Sequence, residues 1–237
     1  MSNYLTAQQI YEKLIKDNIY EHKGSITMSL AGIDVIIKST DTVGNNIQEW
    51  LNDWLYVNNV YHRTPDNSQN FPDFYLSESQ NSNLLEVKSF YAPRRPAFDV
   101  ANFDSYWKSL VTDPYRLDVD YLIFAYDLVD GQLSIRKVYL KKVWEITGKS
   151  TDYALNCQRK NGQIYNIRPV SFNSTRSNII PPFNSKERFI AAIYRELLSH
   201  LNQAAVVKKW LSDVIEGYYN YSNQNIEDEV KQILKDY

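Results

Sequence analysis

Between Phe71 and Phe90 the chain reads F-P-D-F-Y-L-S-E-S-Q-N-S-N-L-L-E-V-K-S-F. Two apolar runs, Phe71–Leu76 and Leu84–Phe90, flank a turn rich in Ser, Asn and Gln, the pattern of a β-hairpin with a long loop. Asp73 falls at the start of the first strand, and Glu86, Val87 and Lys88 fall inside the second. Side chains alternate along a strand, so Glu86 and Lys88 share one face while Leu85 and Val87 take the other. Two carboxylates and an ammonium set among apolar residues cost free energy unless something pairs with them. The simplest partner for converging carboxylates is a hard divalent cation. Mg²⁺ accepts such ligands, keeps several waters and leaves room for a phosphate oxygen. It would acidify water and neutralise charge on a scissile phosphate, with Lys88 positioning or deprotonating the attacking water.

The short pattern of an acid two residues before a lysine has little meaning alone. It occurs three times, at Glu21-His22-Lys23, Glu86-Val87-Lys88 and Glu229-Val230-Lys231. Only the middle copy interrupts apolar strands and follows a strand led by Pro72-Asp73.

Around this hairpin the sequence predicts alternating helices and strands. Thr6 caps a helix to about Asp17 with Ile10, Leu14 and Ile15 on its apolar side. Gly24 ends that unit, and Ser25–Leu30 and Ile33–Lys38 form a hairpin about Ala31-Gly32, expected to pack on the core. Val43 to about Tyr56 is a helix whose apolar face is Ile47, Trp50, Leu51, Trp54 and Leu55. Val60–Arg63 is extended, and Thr64–Asn70 is a polar loop. After the central hairpin, Ser89–Asp99 is a proline-stiffened loop carrying Arg94 and Arg95. A helix over Asn102–Thr112 stops at Pro114, and Tyr121–Val129 is a buried central strand. Asp130-Gly131 then turns the chain into Gln132–Leu140.

From Lys141 to Ser185 the sequence reads as irregular, basic and rich in amides, with Arg159, Lys160, Arg168 and Arg176 among its cations. That mixture suits phosphate contacts and base readout on DNA. Ser185 begins a long helical pattern running past Trp210 to Ile215, and Asn223–Tyr237 reads as an acidic tail helix. No repeat or linker divides the 237 residues, so one domain is expected. Its parts are an N-terminal helix and hairpin (1–40), a catalytic core (43–140), basic DNA-facing loops (141–185) and C-terminal helices (186–237).

Net charge is −2, so attraction to DNA would have to come from basic residues gathered on one face. The single cysteine, Cys157, excludes an intramolecular disulfide framework and a cysteine-built zinc site. His22, His62 and His200 are scattered without metal-ligand spacing. A serine hydrolase is disfavoured by the absence of a nucleophile-elbow motif. No apolar run has the length of a membrane span and the N-terminus is polar, so a cytoplasmic protein is expected.

Pro72-Asp73 and Glu86-Val87-Lys88 resemble the signature of the PD-(D/E)xK nuclease superfamily, and the order of elements resembles its core. The resemblance implies an α/β (mixed α+β) fold, a restriction-endonuclease-like core with a central mixed sheet flanked by helices. In that superfamily a helix before the hairpin often offers a further acid to the metal. Here two residues compete for the place: Glu49 has the carboxylate but projects away from the apolar stripe, and Gln48 borders the stripe with an amide.

More narrowly, the chain resembles Type II restriction endonucleases of the NgoBV type. The phrases carrying this are G-N-N-I-Q-E-W (Gly44–Trp50), F-P-D-F-Y-L (Phe71–Leu76), L-L-E-V-K-S-F (Leu84–Phe90), P-A-F-D-V-A-N-F-D (Pro96–Asp104), P-Y-R-L-D-V-D-Y-L-I-F (Pro114–Phe124), L-K-K-V-W-E-I-T (Leu140–Thr147) and I-Y-N-I-R-P (Ile164–Pro169). The resemblance implies a Mg²⁺-dependent homodimer cutting double-stranded DNA at an interrupted palindrome of the form GGNNCC. It also implies a companion DNA methyltransferase in the same restriction-modification system. Guanine O6 and N7 call for arginine or lysine, and Arg94, Arg95, Arg159, Lys160, Arg168 and Arg176 are the candidates. Two other readings stand beside this one: a structure-selective or repair nuclease of the same fold, and a non-catalytic DNA-binding module whose acids are structural.

Overall fold

The computed structural model describes residues 2–67 and 70–235. Ser68 and Gln69 of the polar loop, and Asp236 and Tyr237 of the tail, lie outside the described residues. In chain order come α1 (Ala7–Lys16), β1 (Lys23–Gly24), β2 (Thr27–Leu30), β3 (Ile33–Ile36), α2 (Val43–Val57), β4 (Phe74–Tyr75) and β5 (Leu84–Tyr91). They are followed by β6 (Ala101–Asn102), α3 (Phe103–Ser109), β7 (Asp120–Val129), β8 (Gln132–Lys142), β9 (Cys157–Lys160) and β10 (Gln163–Ile167). Three helices close the chain: α4 (Lys186–Leu201), α5 (Ala204–Ser222) and α6 (Glu227–Lys235). The mixed α/β class expected from the sequence is what is found. The chain gathers into two compact units, Met1–Pro96 with Val119–Lys141, and Ala97–Asp118 with Lys142–Tyr237.

The first unit is built on a mixed sheet of order β1-β8-β7-β5-β4. β5 runs parallel to β7 and antiparallel to β4. The central place of β7 follows from its composition: Tyr121–Leu128 is buried throughout, as a strand covered on both faces requires. The turn after it has φ 51° at Asp130 and 83° at Gly131, the left-handed pair that matches a two-residue hairpin to strand twist. On one sheet face Leu85, Val87, Leu122 and Phe124 meet Ile10 and Leu14 of α1 and Ile47, Leu51 and Leu55 of α2. Each such buried side chain contributes about 1.5–3 kcal/mol. α1 starts in a capping box, with Gln9 N donating to Thr6 Oγ1 at 3.3 Å and Thr6 N to Gln9 Oε1 at 2.8 Å. Gly24 lies in β1, not at the helix end. The hairpin of β2 and β3 does not pack on the core as expected. All eight of its residues are exposed.

The second unit holds a sheet of order β6-β10-β9 and helices α3 to α6. Phe103 and Tyr106 of α3, Phe189, Ile193 and Leu197 of α4, and Val207, Val214 and Tyr218 of α5 are buried. Two expectations are corrected here. The stretch from Lys141 to Ser185 is not wholly irregular, because Asn161 (φ 51°) and Gly162 (φ 75°) join β9 and β10 in a tight turn. The long helix from Ser185 is two helices. Asn202 takes a left-handed conformation, φ 51°, and ends α4, a backbone geometry asparagine tolerates better than most residues.

Candidate active site

Asp73 stands immediately before β4, at the edge of the first unit's sheet, and Glu86 and Lys88 project from one face of β5. The alternation predicted for β5 holds, since Leu85 and Val87 enter the core on the opposite face. Lys88 Nζ donates to Glu86 Oε1 at 2.8 Å. Two reciprocal backbone contacts lace the acids together: Asp73 N donates to Glu86 Oε2 at 3.2 Å, and Val87 N donates to Asp73 Oδ2 at 2.7 Å. No side-chain pattern announces the Val87 amide, which is a backbone group and invisible to a motif.

Of the two α2 residues that compete for a place beside the acids, Gln48 reaches Asp73 and Glu49 does not. Gln48 Nε2 donates to Asp73 Oδ1 at 2.9 Å, whereas Glu49 is exposed on the outer side of α2. One turn earlier, Gly44 lets the helix come close to β5, for a Cβ there would sit 3.3 Å from Ser89 Oγ. The lone glycine in a helical pattern is the sequence signal of that close approach.

Burial, and after it the charge of Glu86, pushes the Asp73 carboxyl up to about 7, against the opposing pull of Lys88, the Val87 amide and Gln48. A carboxyl held so far from its ordinary range beside a second acid marks the pair as a candidate functional site. Among the described residues no set of three or more His, Cys, Asp or Glu groups is arranged to hold a metal. Two carboxylates with a neighbouring amide would suit a hard cation that retains several waters.

The six basic residues nominated for DNA divide into two groups. Arg94 and Arg95 are exposed in the turn after β5, and Lys160 and Arg176 are also exposed. Arg159 instead donates to Glu196 Oε2 at 2.6 Å and lies 3.7 Å over the Tyr153 ring. Arg168 donates to the Ala97 carbonyl at 2.6 Å and pairs with Asp99 at 3.0 Å. These two guanidiniums are engaged within the second unit. Sequence reasoning missed Glu196, which is 2 % exposed and also accepts from Leu155 N at 2.9 Å. It missed likewise the cluster in which Lys186 Nζ pairs with Asp118 at 2.6 Å and the Tyr218 hydroxyl donates to the same carboxylate at 2.9 Å. Nothing local marks either, as the partners lie tens of residues apart in sequence.

A mixed sheet with Asp73 just before one strand and Glu86 and Lys88 on the next, backed by helices, has the architecture of the restriction-endonuclease-like class. The family model described as NgoBV restriction endonuclease matches residues 4–237, and the chain belongs to that family. The Type II restriction enzyme NlaIV of Neisseria lactamica is 39% identical over 225 residues, 94% of this chain and 93% of its relative. The Type II restriction enzyme NgoBV of Neisseria gonorrhoeae is 38% identical over 159 residues, 66% of this chain and 90% of the relative. A solved structure of NlaIV restriction endonuclease superposes with a TM-score of 0.90 at 36% identity, covering 98% of each chain.

Proposed function

We propose that the chain is a Mg²⁺-dependent Type II restriction endonuclease that hydrolyses both strands of duplex DNA at a short palindrome. The observation that carries this reading is the laced pair of Asp73 and Glu86 with Lys88 donating to Glu86 at 2.8 Å, in a member of a restriction endonuclease family. Asp73 and Glu86 would hold the metal, with Gln48 beside them, and the bound ion would supply Lewis-acid stabilisation of phosphate charge. The chain's own groups do the rest. The Val87 amide and Gln48 Nε2 orient Asp73, and Lys88 Nζ keeps a positive charge beside the reacting phosphate and orients the incoming water. Arg94, Arg95, Lys160 and Arg176 are the exposed cations available to DNA, and Arg159 and Arg168 brace the second unit from within. Two copies of the chain would act on one duplex, and a methyltransferase of matching specificity would protect the host's own sites.

GGNNCC is the first target to try, by kinship with the NgoBV type. The test is digestion of a plasmid of known sequence with and without Mg²⁺, beside Glu86→Ala. Discrete Mg²⁺-dependent fragments absent in the variant support the reading, and their map gives the site. Trimming from ends would favour a repair nuclease. Binding without cleavage under every metal would favour a DNA-binding module.

A further inference from the structure

The outer face of the second unit's sheet carries a glutamine whose amide is fixed at one end and open at the other. β9 and β10 set Lys160 opposite Gln163 and Arg159 opposite Ile164. Directly opposed side chains share a face of the sheet. Arg159 and Ile164 point inward, where Ile164 is buried and Arg159 meets Glu196. Gln158, Lys160 and Gln163 take the outward face and are exposed. Ile164 and Ile167 are both buried although three residues apart, which strict alternation does not allow. A register shift between them resolves this, because a bulge inserts one residue and re-aims a side chain. It brings Asn166 to the outward side, where Nδ2 donates to Gln158 Oε1 at 3.3 Å. Arg168 donates to the same oxygen at 3.2 Å. Each nitrogen of that guanidinium is engaged, the other two with the Ala97 carbonyl at 2.6 Å and Asp99 at 3.0 Å. A guanidinium only donates, so the amide turns its oxygen to Arg168 and its Nε2 outward. No acceptor meets Nε2 among the described residues.

We infer that Gln158 reads a guanine in the major groove, with Arg168 and Asn166 as the positioning residues that set its choice of base. The inference rests on the proposed function for its substrate, duplex DNA. The major groove admits a two-stranded ribbon, and β9 and β10 form one that ends in the tight turn at Asn161-Gly162. β6, β9 and β10 contain no Asp or Glu, so no carboxylate of these strands opposes a phosphate. Lys160, on the same face as Gln158, would meet the backbone beside the base that Gln158 contacts. The chemistry of the amide then selects the base. A glutamine free at both ends suits adenine, donating to N7 and accepting from the N6 amino group. With its oxygen held back, Gln158 offers two N–H donors and no acceptor. Guanine is the base that presents two acceptors, O6 and N7, on its major-groove edge. Arg168 touches no base in this arrangement. It acts through Gln158 alone.

The test begins with selection of bound duplexes from a random pool in Ca²⁺, which asks for binding and not for cleavage. Each guanine of the selected site is then replaced in turn by 7-deazaguanine, which lacks the N7 acceptor, and affinity is measured for wild type and Gln158→Ala. At one position Gln158→Ala should lose about 10- to 100-fold of the discrimination for guanine. There it should ignore the deaza substitution that weakens wild type, while both respond alike elsewhere, the mark of a direct contact. Asn166→Ala combined with Arg168→Met frees the amide oxygen, and the same position should then accept adenine nearly as well as guanine. A brace without a reading role would weaken all sequences alike. If the combined variant does not fold, Asn166→Ala alone should relax the preference in the same direction. Equal deaza sensitivity of wild type and Gln158→Ala at every guanine overturns the inference, as does a selected site without guanine. Plasmid cleavage is scored separately. A protein that selects a sequence and never cuts counts against the nuclease reading and leaves Gln158 standing, whereas normal cutting with unchanged preference in Gln158→Ala removes Gln158 alone.

Discussion

At the scale of single residues, Asp73 ties stability to pH and, under the proposed function, to metal binding. Its carboxyl rises from 3.8 in the unfolded chain to about 7 in the fold. The folded state therefore holds a proton that the unfolded state has released, and stability falls as pH climbs between those two values. The contribution is whole below about 3.8 and lost above about 7. Asp73→Asn should remove that loss. Its melting temperature should exceed the wild type's at pH 8 by several degrees, corresponding to about 2 kcal/mol, with no gain near pH 4 and no cleavage at either. A melting point equally shifted at both pH values would show that the carboxyl is not raised. The same proton should appear in metal binding. Titration calorimetry with Mg²⁺ in buffers of different ionisation enthalpy should show proton release near pH 6.5 that disappears by pH 9, since Asp73 is then already ionised. Lys88→Ala should hold Asp73 still higher, because the ammonium that pulls its carboxyl down is then gone. Its pH–rate profile, if any turnover remains, should move to more alkaline pH.

Elements are joined by partners that sequence patterns hide, and the link between β9 and α4 is the clearest case. Arg159 bonds Glu196 across 37 residues of sequence. Arg159→Ala would strand a carboxylate that is 2 % exposed, a change that costs about 3 kcal/mol or more. Its urea midpoint should fall well below wild type, while Lys160→Ala, next along the same strand and exposed, should leave the midpoint unchanged. Replacing both Arg159 and Glu196 by apolar residues should recover most of the loss. If Arg159→Ala is as stable as wild type yet binds DNA weakly, its guanidinium serves DNA and not α4. This contrast explains what was legible in the chain. Asp73, Glu86 and Lys88 could be read because strand alternation is a local rule and three charges in apolar runs violate it together. β7 and its Asp130-Gly131 turn were equally local. The β9–β10 turn at Asn161-Gly162 carries the same hairpin signal, but its flanking strands are short and largely polar, so no apolar alternation accompanies it. The break at Asn202 was hidden because an apolar stripe can continue across two helices. The choice between Gln48 and Glu49 depends on how α2 is rotated against the sheet, which no single segment specifies.

For the molecule as a whole, a net charge of −2 means that attraction to DNA is a local property of arranged cations and not of the total. Two kinds of contact then have different signatures. A cation on a phosphate releases a counterion, so its removal should weaken all sequences alike and reduce the slope of log affinity against log salt by about 1. An arginine on a guanine edge should leave that slope nearly unchanged and cost about 1–3 kcal/mol of discrimination at one position of the site. Arg94→Ala, Arg95→Ala, Lys160→Ala and Arg176→Ala should each be titrated against the cognate duplex and single-base variants across a range of salt, with Ca²⁺ replacing Mg²⁺ to suppress cleavage. Arg94 and Arg95 follow directly from β5, the strand that carries Glu86 and Lys88, so a base contact made there would be coupled to the catalytic strand through a short, proline-bounded turn. The expected result is therefore a loss of discrimination for at least one of this pair, and a slope change with uniform weakening for Lys160 or Arg176. If all four variants change only the slope, sequence reading belongs to uncharged side chains. The amide-rich loops would then be the next residues to replace.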